Sequence, residues 1–122
     1  MGVQKPMVLV AGAGAGLGQS LLSRFADGGF ETVGLGRSAP DAPVGQFHTV
    51  DLSDETSAPD ILAKITAENG PPRVVIHNTA ELVIAPFMQT DLDDFRRTWD
   101  SMVQSAVLLA QATIQPMIDA GG

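Results

Sequence analysis

The stretch Met7 to Gly18, MVLVAGAGAGLG, decides how the rest of this chain is read, because an unbroken apolar run passes into four glycines set two apart and then straight into a helical pattern. It predicts a strand, a phosphate-sized loop and a helix. Met7, Val8, Leu9 and Val10 show no polar alternation, which fits a strand covered on both faces, as in a parallel sheet packed between helices. From Gly16 onward, Leu17, Leu21, Leu22 and Phe25 recur at helical spacing until Gly28-Gly29 supplies a stop. A glycine loop at the start of a helix lets backbone N–H groups and the positive end of the helix dipole approach a phosphate with no Cβ in the way.

Two nucleotide signatures fail here. G-x-G-x-x-G fails in each register, since its third glycine falls on Leu17 or Gln19, and no G-K-[ST] follows to supply a phosphate-reaching lysine. A tight strand-to-helix turn that binds nothing stays open at this point.

Working outward, Glu31 to Gly36 reads as a second strand ending at Gly36-Arg37-Ser38. In NAD-binding folds an acidic residue about 20 residues beyond the first glycine holds the ribose 2′-hydroxyl. Arg37 stands here instead. Its planar fork suits a 2′-phosphate, which favours NADP over NAD, although Ala15 leaves the glycine loop without a second cation. Gln46 to Val50 predicts a third strand running into Asp51-Leu52. The S-x-x-D box at Ser57 predicts a helix to about Glu68, with Ile61, Leu62 and Ile65 buried. Arg73 to His77 predicts a fourth strand, followed by Asn78, Thr79 and Ala80. Thr90-Asp91-Leu92-Asp93 is read as another capping box, opening one long helix to about Met117. Val103, Val107, Ala110, Ile114 and Met117 share one face of it. Met102, Ala106, Leu109 and Ala112 form a second apolar group, so burial on two sides is expected.

Composition narrows the partners. A formal charge of −7 disfavours nucleic acid and anionic membrane, and zero cysteines exclude disulfides and thiolate metal sites. Lys5 before a short apolar run is neither a signal peptide nor a membrane span, so a cytosolic single domain is the expectation. No metal site is expected. His48 is read as packed or edge-exposed, and neither it nor His77, at the strand end, is read as catalytic.

The spacing Gly12, Gly16, Gly18 is G-x-x-x-G-x-G, and with Asp51-Leu52, Asn78 and the segment from Asp94-Phe95 through Trp99-Asp100 to Gln111-Ala112 and Pro116-Met117 the chain resembles the first half of a short-chain dehydrogenase/reductase. The resemblance implies a Rossmann-like three-layer α/β sandwich with a parallel sheet of order 3-2-1-4, stopping before the fifth strand. It implies cofactor phosphates over Gly12, Ala15, Gly16, Leu17 and Gly18, the adenosine ribose near Arg37 and Ser38, adenine against Asp51 and Leu52, and the inner ribose along Asn78, Thr79 and Ala80. Two departures stand out. The family's catalytic Asn falls on Met102 and its usual Gly on Ser105, while its Ser and Tyr-x-x-x-Lys belong to a second half and this chain has no tyrosine. No catalytic residue is therefore assigned. Three readings stay open: an oxidoreductase whose catalytic half is a missing C-terminal part or a separate chain, a dinucleotide-binding module without catalysis, and a structural α/β domain. An uncovered fourth strand and an apolar long helix further predict a homo-oligomer or an obligate partner half.

Overall fold

A computed structural model describes residues 4–122. Four parallel strands form one sheet in the order β3-β2-β1-β4: β1 is Met7–Ala11, β2 Glu31–Gly36, β3 Gln46–Thr49 and β4 Val74–His77. The helices are α1 (Leu17–Asp27), α2 (Ser57–Asn69), α3 (Leu92–Trp99) and α4 (Ser105–Asp119). Successive side chains of β1 enter opposite cores. Met7, Leu9 and Ala11 pack with Val33, Leu35, Leu62, Ile65 and Leu109 on the face covered by α2 and α4. Val8 and Val10 pack with Ala13, Leu22, Phe25 and Phe47 on the face covered by α1. That two-sided burial is why the strand is apolar without alternation. The Rossmann-like sandwich and the strand order agree with the sequence reading. Among the described residues no helix is long and apolar enough to cross a membrane, and no cluster of residues could hold a metal ion.

Both capping assignments shift. At α2 the box on Ser57 does not form, because Asp54 caps the helix instead, its carboxylate accepting from the N–H groups of Thr56 (2.8 Å) and Ser57 (3.1 Å). Those bonds favour the charged carboxylate and hold Asp54 below its usual value. At α3 the cap is Asp91, accepting from the Asp94 N–H at 2.8 Å. Thr90 turns back to donate to the Pro86 carbonyl, closing the short 3₁₀ turn Phe87–Gln89.

The long helix differs more. It is continuous in direction, but Asp100–Gln104 forms a π turn between α3 and α4. Its buried face matches expectation only at Leu109, of the second apolar group. Ser101, Ser105, Leu109 and Thr113 point inward, whereas Val107 and Ile114 are 50% and 53% exposed. Two of the inward hydroxyls cost little because they bond back one turn, Ser105 to the Ser101 carbonyl and Thr113 to the Leu109 carbonyl. A pattern that counts hydroxyls as outward-facing misses this face. Leu109→Ala should therefore destabilise the chain by about 2–5 kcal/mol, and Val107→Ala by under about 1 kcal/mol. Urea unfolding of the two variants checks the order; the reverse order would restore the expected stripe.

Candidate dinucleotide-binding cleft

The loop after β1 crosses directly against the turn after β4. Gly12, at φ +81°, leaves no room for a side chain: a Cβ there would stand 2.6 Å from the Asn78 carbonyl carbon and 2.7 Å from the Thr79 nitrogen. Asn78 secures the approach from both ends of the residue. Its N–H donates to the Ala11 carbonyl at 2.8 Å and its side-chain amide to the Gly12 carbonyl at 3.0 Å. Gly18, in the first turn of α1, lies so close under the loop that a Cβ would come within 2.7 Å of Ala13 Cα. The N–H groups of Gly12 and Ala13 both donate to Leu35 O at 2.9 Å, which hangs the loop on β2 as well.

These contacts shape a cleft of about 360 Å³ at the C-terminal ends of the strands. Of the twelve residues assigned from the sequence, Gly12, Ala15, Arg37, Ser38, Asp51, Leu52, Asn78, Thr79 and Ala80 line it. Gly16, Leu17 and Gly18 do not. Gly18 is buried beneath the loop and Leu17 is 63% exposed on the outer side of α1. Gly16 caps α1 at φ 99°, with open space where a Cβ would point.

The structure adds Gly14, Gly36, Val50, Ser53 and Ser101 to the lining. Gly14, Gly36, Val50 and Ser53 are sequence neighbours of assigned positions, so strand ends could have included them. Ser101 comes from the π turn, where no sequence signal marked it.

Charge is distributed unevenly around the cleft. Arg37 is exposed and makes no ion pair among the described residues, whereas Arg97 is bound to Glu81 (2.6 Å) and Asp94 (2.8 Å), which raises its pKa further. Asp51 Oδ1 accepts from both the N–H (3.0 Å) and the hydroxyl (2.6 Å) of Ser53, fixing the turn after β3. Thr79, one of the lining residues, has its Oγ1 buried with no hydrogen-bond partner among the described residues. A cradle that a Cβ would fill, an unpaired guanidinium and that hydroxyl together suit an adenosine-containing dinucleotide with its phosphates at the helix end.

His77 takes no part in the lining. Its Nε2 lies 2.8 Å from Ser105 Oγ, and because the single Ser105 proton is given to the Ser101 carbonyl, the imidazole carries its hydrogen on Nε2. His48 lies 3.5 Å from Gln46 on edge strand β3. Neither histidine is paired with a carboxylate among these bonds.

A parallel α/β domain with a glycine turn, a ribose-side loop and a β4 turn converging on one cleft defines a Rossmann-like fold of the dinucleotide type. Residues 6–122 match the short chain dehydrogenase family model, and the chain belongs to that family. It is 36% identical over 78 residues to a short chain dehydrogenase/reductase of Cryptosporiopsis sp., covering 62% of this chain and 32% of that protein. It is 23% identical over 128 residues to L-xylulose reductase of Mesocricetus auratus, covering 99% of this chain and 51% of that one. Among solved structures, ligand-free aldohexose dehydrogenase of Thermoplasma acidophilum superposes with a TM-score of 0.89 at 21% identity, over 95% of this chain and 46% of that one. A short chain dehydrogenase of Leptospira borgpetersenii with bound NAD+ gives 0.88 at 18% identity, over 97% and 48%. The chain thus spans about half the length of these structural neighbours.

Burial removes water from the His77 imidazolium and lowers its pKa, a shift only partly offset by a bond to its own backbone. The unfolded chain then binds more protons at mildly acidic pH, so the stability tied to neutral His77 is whole above its ordinary value near 6.5 and is lost as pH falls below it. Thermal melts at neutral and mildly acidic pH should show the parent losing more on acidification than His77→Gln. Equal losses would remove His77 from the account.

Proposed function

We propose that the chain is the nicotinamide-dinucleotide-binding part of a short-chain-dehydrogenase oxidoreductase that interconverts a carbonyl and an alcohol, with NADP as its preferred cofactor. What carries the reading is the backbone cradle of Gly12 against Asn78 and Thr79, opening onto an unpaired Arg37. When bound, the cofactor supplies hydride exchange at the nicotinamide ring. The chain's own residues bind and orient. Backbone N–H groups at the start of α1 meet the pyrophosphate, Arg37 and Ser38 face the adenosine ribose and its 2′-phosphate, and Leu52 packs on the adenine beside Asp51. Thr79 offers its free hydroxyl to the inner ribose, with Asn78 and Ala80 beside it. The sequence contains no tyrosine, so the proton-transferring group of such a reaction comes from outside these residues. The lack of cysteine supports a cytosolic setting.

Binding without catalysis is the second reading. It is favoured by Met102, a thioether at the π turn, 40% exposed, where the family is expected to carry an amide.

Titration with NADPH, followed by cofactor fluorescence, tests both readings against a structural domain. The parent should bind NADPH more tightly than NADH. Arg37→Gln should cost roughly 1.5–3 kcal/mol toward NADPH and little toward NADH, the scale of a lost bond to a charged group. Gly16→Val should abolish binding, since its side chain would enter the open space before the helix end at a backbone angle that valine resists. Unimpaired binding by that variant would overturn the phosphate-loop assignment. Restored carbonyl reduction on adding the second half of a family member, in cis or in trans, would separate the oxidoreductase from the non-catalytic module.

Assembly belongs to the same reading. β4 is an edge strand of half-buried Val74, Val75 and Ile76, and the outer side of α3 and α4 exposes Trp99, Val107, Ile114 and Ile118. An open apolar edge beside an apolar helix face recruits partners. The isolated chain is expected to self-associate, or to pair with a second half, through these surfaces. Sedimentation equilibrium at micromolar concentration checks this, and a folded monomer with slowly exchanging β4 amides would contradict it.

A further inference from the structure

We infer that Gln19 is a positioning residue that joins the two loops of the adenosine end of the cleft into one unit; the inference rests on the dinucleotide reading above. Gln19 stands in the first turn of α1, partly buried, and uses both ends of its amide. Its Nε2 donates to the Ala13 carbonyl at 2.7 Å, inside the glycine loop, and its Oε1 accepts from the Val44 N–H at 3.1 Å, inside the loop that returns from Arg37 and Ser38 to β3. Only this orientation of the amide works, because the reverse would set an oxygen against a carbonyl and an NH₂ against an N–H.

Each partner depends on the bond. Ala13 is fully buried and its N–H is already spent on Leu35 O, so the carbonyl has its donor in Gln19. Val44 is held by Gln19 at its N–H and by the Thr32 hydroxyl at its carbonyl (3.3 Å). The intervening residues 38–43 are exposed or nearly so and belong to no strand or helix. The position of Ser38 and the far side of Arg37 thus depends on an anchor across the loop, and that anchor is bonded to the same backbone that meets the pyrophosphate. A glutamate could accept from Val44 but would repel the Ala13 carbonyl, a lysine could only donate, and a leucine could do neither.

Two measurements on the full chain test the tie. In the first, without ligand, hydrogen exchange of residues 39–45 should rise in Gln19→Leu while exchange in β1, β2 and β4 stays at the parent level. In the second, NADPH and 2′,5′-ADP are titrated. Gln19→Leu should bind each about tenfold more weakly, the scale of losing its two amide hydrogen bonds at the low end of about 0.5–1.5 kcal/mol each, and should bind nicotinamide mononucleotide as the parent does. Gln19→Glu separates positioning from general destabilisation. Its carboxyl, once protonated at acidic pH, can both donate and accept, so its NADPH affinity should recover toward the parent's as pH falls, whereas that of Gln19→Leu should not. Unchanged loop exchange, or an unchanged affinity in Gln19→Leu, overturns the inference. A parent that binds neither cofactor overturns the preceding reading instead, and loop exchange still decides this one.

Discussion

The contact on which the C-terminal edge of the sheet depends is backbone against backbone, where Gly12 meets Asn78 and Thr79. Strands β1 and β4 are neighbours in register, Ala11 opposite His77, so the chain leaves both strands at the same level and the two turns compete for one volume. Glycine resolves the competition by having no side chain. Asn78 then converts the close approach into bonding, its amide taking the Gly12 carbonyl that faces away from the ladder. Were this contact opened by a side chain, the glycine loop, the β4 turn and the residues lining the cleft from each would move apart together.

Local charge and net charge point in different directions here. The chain is acidic overall at −7, yet a dinucleotide is an anion. At physiological ionic strength the screening length is about 8 Å, so what an anion meets is the N–H groups at the start of α1 and the unpaired Arg37. The one carboxylate that lines the cleft among the described residues, Asp51, is bonded to Ser53. The same screening makes overall charge a poor guide to the cleft.

The join between α3 and α4 shows how a polar residue can enter a core without cost to the fold. The π turn over Asp100–Gln104 shifts the hydrogen-bond register, and Ser101 and Ser105 turn toward β4, where His77 donates to Ser105. Gln104 donates to the Ser53 carbonyl at 2.9 Å, tying the same turn to the loop after β3. A histidine at the end of β4 and a serine where the resemblance places a glycine thus satisfy each other across the strand and helix.

The strands and their burial were legible from local signals, whereas the strand order and the nine assigned residues that line the cleft came from the family resemblance. An apolar run without alternation means burial on both faces, and glycine spacing marks where a backbone must pass close to something. The tertiary structure decided what those signals do not carry. Whether Ser57 or Asp54 caps α2, and whether Thr90 or Asp91 caps α3, turns on which side-chain oxygen the incoming chain aims at the free N–H groups. Which face of an all-round apolar helix is buried depends on the sheet it meets, and here that sheet accepted Ser105 and Thr113, whose hydroxyls bond back to the helix. Ser101 joins the cleft lining from the π turn, and Gln19 bonds to Ala13 and Val44 across the fold, and a residue's reach across the fold has no period for a sequence to display.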